Sequence, residues 1–259
     1  MKIQAAYLAM FSPTGSTKHI LERMGARLAP APAVMDLTLP PPSPAALHFT
    51  SSDLVIFGAP VYGGRIPETA RKRFASLKGH RTPAAVIVTY GNRAYEDALL
   101  ELKDLAQSQG FTVIAAAAFV TEHSIIRQIA AGRPDAGDLA AIDRFGDSLR
   151  ETAAGYLPSA HRDLKVPGNP QYKTYAPIPM HPKAGSSCTG CGLCAAQCPV
   201  GAIDAANPRA TDGSRCISCM RCIRVCPAGA RKLPWLVMFA AKRKIMPLCR
   251  VRREPEVFF

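Results

Sequence analysis

Two matched cysteine runs constrain this chain more than any other feature. The first is Cys188-x2-Cys191-x2-Cys194-x3-Cys198-Pro199, and the second is Cys216-x2-Cys219-x2-Cys222-x3-Cys226-Pro227. The flanking residues repeat as well, since CTGCGLCAAQCPVGAID aligns with CISCMRCIRVCPAGARK at a period of 28 residues, Cys188 to Cys216. Three closely spaced thiolates on a tight loop wrap three corners of an iron cube, and this spacing, ending in Cys-Pro and doubled, implies two [4Fe–4S] clusters. Structural zinc draws paired knuckles from separate segments, four ligands per ion, which is a different pattern. Disulfides suit a small secreted scaffold, and nothing here marks secretion. Cys249 lies outside both runs and is expected to be an ordinary side chain.

The doubled spacing resembles that of bacterial two-cluster ferredoxins, in which the fourth cysteine of each run ligates the other cluster. The resemblance implies Cys188, Cys191, Cys194 and Cys226 around one cluster, and Cys216, Cys219, Cys222 and Cys198 around the other.

The N-terminal half has a different logic. Residues 2–10 read as a buried parallel strand that runs into Ser12-Pro13-Thr14-Gly15-Ser16-Thr17 and then a helix through about Leu28. A strand, a hydroxyl- and glycine-bearing loop and a helix N-terminus together make a phosphate site, because free backbone N–H groups and the helix dipole attract an anion. The loop is neither a Walker A sequence nor a dinucleotide fingerprint. The stretch Asp53–Gly58 reads as a second buried strand running into Pro60-Val61-Tyr62-Gly63-Gly64-Arg65. A third, Ala84–Thr89, runs into Tyr90-Gly91-Asn92-Arg93-Ala94-Tyr95. Each loop leaves the carboxyl end of its strand, where open α/β sheets bind ligands.

These loops resemble the flavodoxin family, whose phosphate loop [S/T]-x-T-G-x-T is matched by Ser12 to Thr17 at every fixed position. The resemblance implies an FMN site built from Ser12, Thr14, Gly15, Ser16, Thr17, Pro60, Val61, Tyr62, Gly63, Gly64, Tyr90, Gly91, Asn92 and Tyr95. Tyr62, with Tyr90 or Tyr95, would stack on the flavin faces. Gly63 and Gly64 would let the backbone approach the ring, and the peptide at Gly63 would reorient when flavin N5 gains a proton. Flavodoxins commonly surround the ring with acidic residues. Here Arg65 and Arg93 stand beside the expected site, which predicts a less negative couple for the reduced anion.

Further along, Tyr95–Ser108 has helical periodicity, Phe111–Val120 reads as a fifth strand, and Leu139–Thr152 as a closing helix. His123 and Ser124 sit in an insertion between them without an acidic orienter or a nucleophile elbow, so packing and loop anchoring are expected. The fold class expected is α/β: a flavodoxin-like doubly wound parallel sheet of order 2-1-3-4-5, with a smaller α+β two-cluster ferredoxin domain. The divisions expected are an FMN domain over 1–154, a Pro/Gly-rich connector over 155–185 that packs Tyr172 and Tyr175 on the flavin half, a ferredoxin domain over 186–232, and a basic amphipathic tail over 233–259 that folds back on either half.

Charge is one-sided. The net charge is +13, with residues 161–259 carrying 16 Lys and Arg against 5 Asp and Glu. Part of that surplus offsets the anionic clusters, and the remainder would steer a redox partner with an acidic docking face. The short basic runs match no nucleic-acid-binding motif, so no nucleic-acid partner is expected. The longest apolar runs are too short to span a bilayer, which leaves at most a peripheral membrane contact. A cytoplasmic location suits oxygen-sensitive clusters.

The whole chain resembles flavodoxin–ferredoxin fusion proteins, over residues 1 to about 232. That resemblance implies an intracellular electron carrier relaying single electrons between FMN and the clusters, to or from a low-potential iron–sulfur or radical enzyme. No catalytic residues are assigned. Two alternatives stand beside it: an FMN-dependent reductase of a small molecule fed by the clusters, and a sensory or nucleic-acid-binding protein whose clusters are structural.

Overall fold

The computed structural model describes residues 3–29, 31–41, 46–157, 163–175 and 180–259. Parts of the expected connector (158–162 and 176–179) lie outside the described residues.

The first half alternates strands and helices: β1 (Ala5–Met10), α1 (Ser16–Leu28), β2 (Ala33–Asp36), β3 (Leu47–Phe49), β4 (Asp53–Pro60), α2 (Glu68–Phe74), β5 (Leu77–Gly79), β6 (Thr82–Tyr90), α3 (Ala98–Ser108), β7 (Phe111–Val120) and α4 (Ala136–Ala154). β1, β2, β4, β6 and β7 form a parallel sheet in the order β2-β1-β4-β6-β7. Counted among themselves these strands give the expected 2-1-3-4-5. The short parallel pair β3–β5 forms a separate two-stranded sheet that sequence reading did not anticipate.

Side-chain alternation explains why both sheet faces are covered. Leu8, Met10, Ile56, Ile87, Ala115 and Phe119 point to one face and pack with Ile20, Leu21 and Met24 of α1 and Ile142, Phe145 and Leu149 of α4. Ala9, Phe11, Val55, Phe57, Val86, Val88, Ala116 and Val120 point to the other and meet Phe74 of α2 and Leu99 and Leu102 of α3. Two buried layers leave only the strand ends open to a ligand.

The cysteine half is built around β8 (Lys183–Ala184) paired antiparallel with β9 (Arg231–Lys232), and two one-turn helices, α5 (Leu193–Ala196) and α6 (Arg221–Arg224). The described connector lies along α3: Lys103 Nζ donates to Asp163, Leu164 joins the core, and the amides of Asn169 and Lys173 donate to the Asp97 carboxylate at 2.8 and 2.7 Å. Tyr172 donates to Asp104 beneath the Arg65 guanidinium, as expected of its packing on the flavin half.

The tail returns to the first half. It forms α7 (Trp235–Ile245), a 3-10 turn (Met246–Cys249) and β10 (Glu256–Phe258), which adds antiparallel to the β7 edge as a sixth strand. The sheet thus draws on residues beyond the expected 1–154. Covering the β7 edge removes a row of unpaired backbone groups. Cys249 is buried with Ile126 and Ile129, in the ordinary packing role expected. Among the described residues, no helix is long and apolar enough to cross a membrane.

Candidate redox centres

The loops after β1, β4 and β6 open at one end of the sheet and line a single cleft of about 420 Å³. Ser12, Thr14, Ser16, Thr17, Pro60, Val61, Tyr62, Gly63, Gly64, Tyr90 and Gly91 all line it. In the phosphate loop the hydroxyls divide their work. The Lys18 amide donates to Ser12 Oγ at 2.9 Å, the Ser12 amide donates to Thr38 Oγ1 at 2.7 Å, and Thr17 and Thr89 hydroxyls pair at 2.8 Å. These bonds hold the loop in shape and leave Thr14 and Ser16 facing the cleft. The Ser16 and Thr17 amides, in the first turn of α1, have no acceptor within the helix, while that of Lys18 is held by Ser12. The residues therefore fit a phosphate.

Tyr62, Gly63, Gly64 and Arg65 make a tight turn, with the Tyr62 amide donating to Arg65 O at 2.9 Å. Both glycines have positive φ, +62° and +90°. Tyr62 stands half-buried at the mouth, and burial pushes its phenol well above the ordinary range, with Cys219 and Tyr175 adding to the effect. Tyr90 is buried, its phenol pushed up to about 12 by desolvation first and Glu256 next. A flat apolar cleft with aromatic walls and turn amides suits an isoalloxazine.

Three expected flavin contacts fall outside the cleft. Gly15 acts through conformation only: at φ +90° it caps α1 in a geometry that disfavours any side chain. Asn92 turns its amide to the tail, donating to the carbonyls of Cys249 and Val251 and accepting from the Arg253 amide, each at 2.9 Å. Tyr95 packs edge-on against Tyr90 and donates to Glu256 of β10 at 2.7 Å. Of the two expected cations, Arg65 is taken up by buried Glu101 through a fork of 2.8 and 2.7 Å and does not reach the cleft. Arg93 lines it, paired with Glu96 at 2.7 Å.

The cleft also gains residues that local sequence signals did not show: Thr121 to Ile125 from the insertion, Lys173 from the connector, Ser218 from the second cysteine run, and Lys244, Ile245 and Leu248 from the tail. His123 Nδ1 accepts from the amides of Ile125 and Ile126 at 3.1 Å each. Burial lowers its pKa to about 4, so the ring is neutral with its proton on Nε2. That is the loop-anchoring role expected, now at the wall of the cleft.

The cysteines fall into two groupings. Cys188, Cys191, Cys194 and Cys226 line one small cavity together. Cys198 lies close enough to Cys216, Cys219 and Cys222 to raise their thiols, and burial, the larger cause, pushes Cys219 and Cys222 up to about 12. None of the cysteines is in a disulfide. No group of three or more His, Cys, Asp or Glu among the described residues closes on a position for a single metal ion.

Arg231 carries the electrostatic test. It is 2% exposed, lines the first cavity, and hydrogen-bonds only to carbonyls and the Thr211 hydroxyl, while its Nε has no partner. A buried cation with neutral partners is costly unless an anion lies beside it. Its charge lowers Cys216, Cys222 and Cys226 alike, so it stands between the two sets. An anionic thiolate cluster on either side is what such a cation fits.

The repeat is structural as well as sequential. Gly190 and Gly192 of the first run have φ of +75° and +74°, and their counterparts Ser218 and Met220 have +52° and +62°. Cys198 Sγ accepts from the Ala202 amide at 3.2 Å, and Cys226 Sγ from the Ala230 amide at 3.3 Å. The second loop carries side chains where glycine is the unstrained choice. Those side chains have partners: the Ser218 hydroxyl donates to the Met180 carbonyl at the wall of the cleft, and Met220 is buried beside Thr14 and Ser16.

Residues 187–230 match the 4Fe-4S dicluster domain family. Among solved structures, the chain is similar to a flavodoxin from the domain Archaea (15% identity, 58% of this chain and 99% of that one, TM-score 0.42). It is also similar to oxidised flavodoxin 1 from Bacillus cereus (16% identity, 60% and 99%, TM-score 0.42). A third is the apo form of an NADH:FMN oxidoreductase (13% identity, 61% and 97%, TM-score 0.40). The strand order described above, rather than these likenesses, carries the fold. No curated protein sequence matches the chain. A doubly wound parallel α/β domain and a segment matching the 4Fe-4S dicluster domain family are joined in one polypeptide.

Proposed function

We propose that the chain is an electron-transfer flavoprotein that relays single electrons between FMN in the cleft and two [4Fe–4S] clusters, and between these and a redox partner protein. FMN supplies exchange between two-electron and one-electron chemistry, and the clusters supply one-electron steps. Thr14, Ser16 and the first amides of α1 would hold the phosphate, Tyr62 and Tyr90 would offer aromatic faces to the ring, and the Gly63–Gly64 turn would offer backbone amides to its edge.

The observation that carries this reading is the seat of Ser218. It lines the flavin cleft while its neighbour Cys219 lies near the Tyr62 phenol. The set Cys216, Cys219, Cys222 and Cys198 is therefore proximal to the flavin. The set Cys188, Cys191, Cys194 and Cys226 is distal, and Cys191 is its exposed member, on the side open to a partner. The basic surplus of the second half suits a partner with an acidic docking face, and covalent linkage replaces collision with a high effective concentration. Reducing conditions of the cytoplasm suit the clusters. The tail residues Lys244, Ile245 and Leu248 contribute to the wall of the cleft.

Anaerobic purification should give one FMN and about eight irons per chain. Stepwise reduction followed by absorbance and electron paramagnetic resonance should show clusters and flavin exchanging electrons. Cys219→Ser should uncouple the flavin from the distal cluster. Material that retains zinc instead of iron, or no FMN, would sink the reading.

A further inference from the structure

Helix α7 has two apolar faces, and the fold uses only one. Met238, Ala241 and Ile245, spaced as one helical stripe, pack on Ile126 and Ile129. The opposite side holds Trp235, Leu236 and Phe239, which are 74, 61 and 55% exposed. A protein that leaves an indole, a phenyl ring and a leucine side by side in water has a surface for something else to cover.

The charge around that surface says what covers it. From Lys232 to Arg253 there is no Asp or Glu, and there are seven Lys and Arg: Lys232, Lys242, Arg243, Lys244, Arg250, Arg252 and Arg253. Arg252 is neutralised by Asp135 and Glu254, and Lys244 turns to the cleft. Five remain, Lys232, Lys242, Arg243, Arg250 and Arg253; of these Lys242 and Arg243 lie on α7 itself, with the Arg243 guanidinium 5.8 Å from the Phe239 ring centroid. A short helix with Trp, Leu and Phe outward and Lys and Arg at its flanks suits the boundary between anionic headgroups and acyl chains. There the aromatics sit at headgroup depth and each basic residue adds attraction. A folded acidic protein would satisfy the charges but would need a matching pocket for the indole. A lipid surface needs none.

We propose that the outward face of α7, formed by Trp235, Leu236 and Phe239 beside Lys242 and Arg243, docks the protein on an anionic lipid surface. The docking is peripheral and reversible, since three side chains and a few charges bind weakly. It is independent of the cofactor reading, because none of these five residues lines the cleft or a cysteine cavity.

Trp235 is the only tryptophan in the chain, so its emission reports the contact directly. Purified full-length holoprotein is mixed with vesicles of phosphatidylcholine alone, or of phosphatidylcholine with phosphatidylglycerol, and binding is read by flotation and by Trp235 emission. Binding is expected only to the anionic vesicles, with a blue shift of Trp235, and is expected to weaken in high salt. Trp235→Ser/Phe239→Ser and Lys242→Gln/Arg243→Gln should each weaken it by roughly tenfold or more. Iron and FMN contents of both variants, unchanged from the parent, show that the loss is not one of folding. Failure to float with anionic vesicles overturns the proposal. So does flotation without a Trp235 shift, and so does retention of the shift only with a soluble acidic protein.

Discussion

Arg221 Nη1 donates to the carbonyl of Pro13 at 3.2 Å, tying the second cysteine run to the phosphate loop. Its other terminal nitrogen holds Gln197, the neighbour of Cys198, and its own neighbour in sequence is Cys222. One side chain thus ties Gln197, beside Cys198, to the loop proposed to hold the phosphate. Removing it frees the Pro13 carbonyl and loosens the loop. Arg221→Ala should raise the FMN dissociation constant by about tenfold, about 1.4 kcal/mol, measured by flavin fluorescence on cluster-loaded protein. Removing the proximal cluster by Cys222→Ser should weaken FMN to a similar degree, because Arg221 then loses its fixed frame.

Arg231 is buried among neutral partners between the two cysteine sets. Arg231→Met removes a cation that favours the more reduced, more anionic state of either cluster. The expected outcome is partial loss of iron and sulfide on anaerobic purification, and a fall in cluster reduction potential on the order of 60 mV, one tenfold step in a one-electron equilibrium. Unchanged potentials would show that the charge is matched elsewhere.

Asn92 holds the returning tail through three hydrogen bonds of 2.9 Å. Asn92→Ala leaves two tail carbonyls and an amide without these partners and should cost about 2–4 kcal/mol. Limited proteolysis should then cut after α7, and FMN should dissociate faster because Ile245 and Leu248 no longer contribute to the wall of the cleft.

His123 is neutral in the fold with its pKa lowered to about 4, whereas unfolded histidine titrates near 6.5. A depressed folded value means the unfolded chain binds the extra proton first. The contribution is therefore complete above pH 6.5 and is lost as pH falls from there to about 4, by up to about 3 kcal/mol. Denaturation midpoints measured across that window should fall in the parent and fall less in His123→Gln.

Gly64 sits at φ +90°, where an added Cβ would lie 1.9 Å from Glu96 Oε2. Glu96 cannot easily give way, because Arg93 and Lys173 grip it at 2.7 and 2.5 Å. Gly64→Ala should destabilise the turn by about 1–3 kcal/mol and lower flavin retention, read by thermal melting and bound-FMN absorbance.

The elements most legible in the sequence were those whose signal is local. Phe111–Val120 was readable to the residue because a run buried on both faces is apolar throughout. The phosphate loop was readable because glycine and hydroxyl residues at a strand-to-helix turn have few other uses. Asn92 and Tyr95 were expected at the flavin for their place in the third loop, yet the structure turns both to the tail, whose return no local pattern announces. Arg65 looked like a cation for the ring until the fold brought Glu101 to it from α3, 36 positions away.

By itself the sequence announced two cysteine runs of cluster spacing, the buried strands and the loops at their carboxyl ends, since spacing, alternation and turn chemistry act between neighbours along the chain. The tertiary structure alone decided that Ser218 meets the flavin cleft, that Arg231 lies buried between the two cysteine sets, and that the C-terminal strand closes the β7 edge. Those relationships join residues far apart in the chain, and they exist only once packing has brought both partners to one place.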